Sequence, residues 1–226
     1  MSAGQIIDFH THWNGSAQPA DPEALKIISL PLEQIDQPLP ADCAITLELH
    51  PWQGGAFTEE FARAAAMSKV IGIGEAGLDR LRGALPLAEQ MEIFSRTIQL
   101  AEKLHKPLTV HCVRCFSELL ELKKRLKWQV ATIIHYFTGK AGIAEQLLRH
   151  GNFILSLPPC CSEEVLELWR SNRQYDRSFV LETDDPAGGI ARHYQYVAQK
   201  LNISNEELVT VMRNQFGRIY HVGKQC

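Results

Sequence analysis

The chain has 226 residues, 45% of them hydrophobic and 22% charged, with a formal net charge of -3. That composition excludes disordered, collagen-like and low-complexity classes, and the length is enough to bury a core without a disulfide or structural metal. No apolar run approaches the roughly 18 residues of a membrane span, the first residues lack the form of a signal peptide, and the charge balance excludes a strongly basic coat for nucleic acid.

In chain order, short runs rich in Ile, Val and Leu fall at Ile6–His10, Leu25–Leu30, Cys43–His50, Val70–Glu75, Leu108–His111, Ala131–Phe137, Phe153–Leu157 and Phe179–Asp184. Near-continuous apolar strands are buried on both faces, the pattern of a parallel sheet. Helical patterns separate most of them. In Leu87–Leu104, the residues Leu87, Met91, Phe94, Ile98 and Ala101 fall on one face. Cys115–Leu126, Lys140–His150, Ser162–Arg170, Arg192–Leu201 and Ser204–Phe216 are further helices, the last with a capping-box signal at Ser204-Asn-Glu-Glu207. Strands alternating with helices throughout give an α/β fold, and eight strands favour a TIM-type (β/α)8 barrel over an open doubly wound sheet. No G-x-G-x-x-G or Walker A sequence follows a strand, which weakens a nucleotide-binding alternative. Residues 6–42 must hold two strands, and Pro19, Pro22, Pro31, Pro38 and Pro40 oppose helices there. The first two helical crossovers are therefore expected to be trimmed to loops or single turns. With no internal repeat and no Pro-, Gly- or Ser-rich linker, residues 1–226 read as one barrel domain.

The six cysteines, Cys43, Cys112, Cys115, Cys160, Cys161 and Cys226, read as reduced thiols of a cytoplasmic protein. Cys112-Val-Arg-Cys115 matches C-x-x-C but lacks a second pair at zinc-ribbon spacing. Buried filler is favoured over a redox or zinc role.

Five of the nine histidines and several carboxylates fall at carboxyl ends of strands. In a barrel those ends converge where catalytic groups are placed. His10-x-His12 has period two, so both imidazoles face one side of a strand and can reach one ion. His111 and His135, on neighbouring strands, can hold a second. Glu75 and Asp184 supply oxygens, and a carboxylate can bridge two ions. Imidazole with carboxylate suits Zn, Mn, Fe, Ni or Co more than Ca. A lone strand-end His is more often structural. Six such residues on five strands are not readily coincidental, because charged groups are rarely buried without a partner or metal.

Six ordered segments, Asp8-Phe9-His10-Thr11-His12, His50-Pro51, Ile73-Gly74-Glu75-Ala76-Gly77-Leu78-Asp79, Val110-His111-Cys112, His135-Tyr136-Phe137-Thr138-Gly139 and Glu182-Thr183-Asp184-Asp185-Pro186, resemble the TatD family of metal-dependent hydrolases. Asn214–Phe216 and Ile219 resemble that family's closing helix. The resemblance implies that His10, His12, Glu75 and Asp184 form one metal site, and that Glu75 bridges to a second with His111 and His135. It implies hydrolysis of phosphodiester bonds, as a deoxyribonuclease trimming DNA ends, with two divalent ions (Zn, Mg or Mn) clamping the phosphate and activating a water. Asp184 is then the general base or a pure ligand, or both. His50 contacts substrate, supports the ligands or makes a structural hydrogen bond. Trp52, where the family often has a second His, is core or a base-stacking platform. Arg80, Arg82 and Arg114 follow strand ends and can meet phosphate oxygens. Ordinary solvation is favoured for Arg80 and Arg82, and Arg114 is offset by one from the family's arginine. The loop after Asp184 (Asp185-Pro186-Ala187-Gly188-Gly189) is shorter than the family's and less basic.

DNA or a small phosphodiester is the expected partner, with no membrane, no obligate protein partner, and a monomer or weak dimer. The alternatives are hydrolysis of an amide, lactone or aminoacyl ester by the same ions, and an inactive metal-binding barrel.

Overall fold

The computed structural model describes residues 4–13, 21–171, 178–185 and 189–221. Its strands are β1 Ile7–His12, β2 Leu25–Leu30, β3 Cys43–Leu49, β4 Val70–Asp79, β5 Leu108–Val113, β6 Thr132–Ile134, β7 Phe153–Leu157 and β8 Phe179–Leu181. Its helices are α1 Glu59–Ala65, α2 Leu87–Leu104, α3 Phe116–Leu126, α4 Ala141–Leu148, α5 Glu163–Ser171, α6 Ile190–Leu201 and α7 Asn205–Tyr220. The strands form one sheet in chain order, β1 to β8. The pairings β3–β4, β4–β5, β5–β6 and β7–β8 are parallel. This is the TIM-type (β/α)8 architecture.

The crossover from β2 to β3 carries a single 3-10 turn, Leu32–Gln34, as its prolines require. In the first crossover, residues 14–20 lie outside the described residues. Helix α1 has no counterpart in the apolar-run reading. It starts where the Thr58 hydroxyl accepts the Phe61 N–H at 3.1 Å, carries Glu59 and Glu60 in its first turn, and buries Phe61, Ala64 and Ala65. On α2 the buried stripe is Gln90, Phe94, Thr97, Ile98 and Ala101, with Leu87 and Met91 only half-buried. A count of apolar residues misses Gln90 because its burial depends on hydrogen bonds to the Asp79 backbone. The α7 cap matches expectation, with the Ser204 hydroxyl accepting the Glu207 N–H at 3.1 Å.

The chain divides into two compact units. In the first, residues 1–28, 38–44 and 136–226, α6 and α7 cover β1 and β8. The buried Tyr194 hydroxyl accepts the Ile7 N–H at 3.1 Å and donates to the Ile7 carbonyl at 3.0 Å. Phe9 meets Phe216 edge-on at 6.4 Å. Each such fully buried aliphatic or aromatic side chain contributes about 1.5–3 kcal/mol.

In the second unit, residues 29–37 and 45–135, β4 and β5 pair in parallel from Ile73↔Leu108 to Asp79↔Val113. Register runs Ile73↔Leu108, then slips, then resumes at Ala76↔Val110 and Gly77↔His111. The slip inserts Gly74 and Glu75 as a bulge, which re-aims the Glu75 side chain. Glycine is required on both sides of it. A Cβ on Gly74 (φ 130°) would lie 2.1 Å from the Thr109 carbonyl oxygen, and one on Gly77 (φ 152°) 2.0 Å from that of His111. Gly77→Ala therefore forces the strands apart. It is expected to cost about 3 kcal/mol or more in urea denaturation, among the largest single-residue effects. An unchanged midpoint would contradict this packing.

Candidate active site

The ligand-type residues do not all stand at strand ends: His12 ends β1, but His10, Glu75 and His111 lie inside β1, β4 and β5, which run past the expected ends. His50 follows β3, His135 follows β6, and Asp184 lies three residues past β8, so β6 and β8 are shorter than their apolar runs. Side chains at these positions are held by a strand yet free to aim outward.

In the second unit the cluster centres on Glu75, which is 2% exposed. Its Oε1 lies 3.1 Å from His50 Nε2, 2.5 Å from His111 Nδ1 and 3.5 Å from His135 Nε2. The His50 tautomer follows from its other nitrogen. Nδ1 accepts the Trp52 N–H at 3.1 Å, so Nε2 carries the proton and donates to Glu75. The Glu75 N–H donates to Ser29 Oγ at 2.9 Å, and that hydroxyl sits 3.0 Å from the buried Glu48 Oε2. The His135 ring stacks on His111 at 6.3 Å. His50, Glu75 and His111 each offer a ligand atom within 4.8 Å of the others. A buried carboxylate ringed by imidazoles is the donor set that borderline divalent ions prefer, and it fits such an ion.

Asp79 extends this cluster. Its Oδ2 accepts the Trp52 indole N–H at 2.6 Å and lies 2.9 Å from His111 Nε2; its Oδ1 accepts the backbone N–H groups of Leu81 and Arg82. Burial works against its charge, but these hydrogen bonds prevail and hold its pKa at about 2. Burial likewise opposes a charge on His111, and the hydrogen bonds and charges of Glu75 and Asp79 outweigh it and raise its pKa.

The first unit holds the other set. His10 is fully buried, and its Nε2 lies 3.5 Å from Asp184 Oδ1; the half-exposed His12 presents its Nε2 to the same oxygen at 3.4 Å. The two rings are 5.1 Å apart and nearly perpendicular, which leaves their nitrogens converging on Asp184. Asp184 adopts a left-handed turn (φ 63°), and its N–H donates to the His10 carbonyl at 3.1 Å. Thr183 anchors that turn by donating its N–H and hydroxyl to Asp8, at 3.0 and 2.6 Å. Burial pushes the Asp8 carboxyl up to about 7 against the pull of those bonds. Glu182, also buried, accepts from the Tyr136 N–H and the Ser156 hydroxyl.

Other expectations land differently. Arg114 is exposed, in a left-handed turn, and its carbonyl accepts Arg80 Nε at 3.2 Å. Arg80 pairs with Glu118, and the Arg82 guanidinium sits 3.6 Å above the Trp52 ring. Trp52 is 41% exposed, so it is not core. Cys43, Cys112, Cys115, Cys160 and Cys161 are free thiols. Cys226 and residues 186–188 of the short loop lie outside the described residues. The residues that sequence reasoning left without a role are Asp8, Ser29, Glu48, Asp79, Glu182 and Thr183. Period two offers a signal for some: Asp8 shares a face with His10 and His12, and Asp79 with Glu75. Nothing local marks Ser29.

The TatD related DNase family matches residues 24–221. A 3'-5' ssDNA/RNA exonuclease TatD of Musicola paradisiaca (strain Ech703) is 30% identical over 154 residues, 65% of this chain and 58% of that protein. An uncharacterized metal-dependent hydrolase, YcfH, of Escherichia coli (strain K12) is 28% identical over 181 residues, 73% of this chain and 68% of that protein. The chain thus spans less than two thirds of the exonuclease's length. A crystal structure of a hydrolase TatD family protein from Entamoeba histolytica superposes with a TM-score of 0.77 at 17% identity, covering 97% of this chain and 99% of that one.

The Asp8 carboxyl gives this site a pH signature. Its folded pKa, about 7, is above the ordinary 3.8. Its contribution to stability is therefore full below that ordinary value and is lost as pH rises through neutrality. In metal-free protein, Asp8→Asn is expected to flatten the fall in stability between mildly acidic and neutral pH, measured by urea midpoints. An identical pH slope in both proteins would contradict the assignment.

Proposed function

We propose that this chain, which belongs to the TatD related DNase family, is a divalent-metal-dependent hydrolase of phosphodiester bonds that trims DNA from its ends. The observation that carries this reading is Glu75, a buried carboxylate facing three imidazoles, one of them at 2.5 Å. Burying such a charge costs several kcal/mol, at order of magnitude, and a cation offsets that cost directly. In this reading the two units act as one hydrolase domain. His111, His135 and Glu75 would hold one ion, and His10, His12 and Asp184 another. Bound divalent ions supply Lewis acidity to the phosphate and make water a nucleophile at neutral pH.

The protein's own groups do the rest. Asp184 is about one third exposed, so a water and a substrate can reach its carboxylate, and it accepts the proton of the attacking water. Its left-handed turn, fixed by Thr183 and Asp8, keeps that carboxylate aimed at the histidines of β1. His50 donates its Nε2 proton to Glu75 and so acts as a support for the ligands, with substrate contact beyond it left to Trp52. The exposed Trp52 face and the Arg82 guanidinium upon it make a cationic stacking surface, suited to a base and its phosphate. Arg114 is free at the surface to meet a phosphate of a longer substrate.

A 5'-labelled single-stranded DNA incubated with Mg, Mn or Zn tests the reading. The protein is expected to shorten it only with a divalent ion present, and chelation is expected to abolish the reaction. Asp184→Asn is expected to fold normally and lose about 10²- to 10⁴-fold in rate. Undiminished turnover in that variant would refute the role of Asp184.

A further inference from the structure

Asp79 binds no ion in the reading above, yet its carboxylate has four hydrogen-bonding partners. Three of its donors admit no ambiguity. The Trp52 indole and the backbone N–H groups of Leu81 and Arg82 can only donate, at 2.6, 2.7 and 2.8 Å. Its backbone is equally fixed. The Asp79 N–H donates to Gln90 Oε1 at 2.8 Å, and Gln90 Nε2 donates back to the Asp79 carbonyl at 3.1 Å. The carboxylate is therefore a rigid acceptor on both oxygens. His111 Nε2, 2.9 Å from Oδ2, faces an acceptor and must carry a proton to make that bond. The other ring nitrogen, Nδ1, faces Glu75 Oε1 at 2.5 Å; without a cation it too carries a proton, so it is the nitrogen that an ion bound beside Glu75 would deprotonate.

We infer that Asp79 is a positioning residue that keeps the His111 proton on Nε2 and so leaves Nδ1 as the atom that ligates the ion. The inference rests on the metal-site reading above but not on the identity of the substrate. Outer carboxylates of this kind orient a ligating imidazole and raise its basicity. The Trp52 indole shares the same Asp79 oxygen, so the exposed ring beside the site is tied to the ligand through one atom.

Asparagine at position 79 separates this role from a packing role. Leu81 and Arg82 both donate to Oδ1 and outnumber the single indole N–H on Oδ2, so the amide oxygen takes the Oδ1 place, the indole gives up its bond and the amide NH2 faces His111. Nε2 must then accept, which moves the proton to Nδ1 and blocks the ligating lone pair. The test is long-range proton–nitrogen NMR of 15N-histidine-labelled protein loaded with Zn, together with titration of the metal-free protein by Zn alone. The wild type is expected to show the Nε2–H tautomer of His111. Asp79→Asn is expected to show the Nδ1–H tautomer and to bind Zn about 10- to 100-fold more weakly. Trp52→Phe, which removes one donor and leaves the acceptor, is expected to retain the wild-type tautomer. An Nδ1–H tautomer in the wild type overturns the inference even if Asp79→Asn does not fold, and so does undiminished Zn affinity in Asp79→Asn. A protein that behaves as expected here but cleaves no DNA would sink the phosphodiesterase reading and leave Asp79 in place.

Discussion

A buried carboxylate sets the terms for the second unit. Glu75 is almost wholly removed from water, and a lone ionised carboxylate there would be strongly destabilising. Its environment surrounds it with imidazole nitrogens: the His50 Nε2–H at 3.1 Å, the His111 Nδ1 at 2.5 Å and the His135 Nε2 at 3.5 Å. Each of these is itself held by something else. Trp52 fixes His50, Asp79 fixes His111, and Gln90 fixes Asp79. The chain of dependence runs from a helix, through a strand backbone, to a ring nitrogen.

The backbone makes this possible. Glu75 stands in a bulge of β4, and the strand approaches β5 so closely that glycine is obligatory at positions 74 and 77. A strand with ordinary side chains there would stand off from His111. The first unit solves a related problem differently. It uses a left-handed turn at Asp184, clamped by Thr183 on Asp8, to return a carboxylate to His10 and His12. In both units a non-standard backbone aims a carboxylate at imidazoles, which agrees with the tendency of strained conformations to gather at functional sites.

Much of this was legible from residues alone. The eight strands are all present, because buried parallel strands announce themselves as short runs of branched aliphatics, and β2 and β7 match their runs at both ends. The histidines and acids at the ends of the apolar runs were legible for the same reason: their periodicity places them just where apolar character stops. What could not be read depends on tertiary partners. Gln90 looks like a surface residue until Asp79 gives it a partner. Helix α1 is too short and too mixed for an apolar stripe, and only its Thr58 cap marks it. Ser29 acquires meaning only through the Glu75 N–H, forty-six residues away in the chain. Trp52 carries no label that separates a core residue from an exposed one. Its exposure comes from the indole reaching outward to Asp79, with Arg82 above it.

The central proposal is that Glu75, facing His50, His111 and His135, holds a divalent ion. Metal stoichiometry measures this most directly. Protein reconstituted with Zn and freed of excess metal, then analysed by native mass spectrometry, should hold two ions per chain. Glu75→Gln keeps the size of the side chain but removes its charge and one ligating oxygen, and it should hold at least one ion fewer. Two ions retained in Glu75→Gln, or a single ion at saturation in the wild type, would contradict the account.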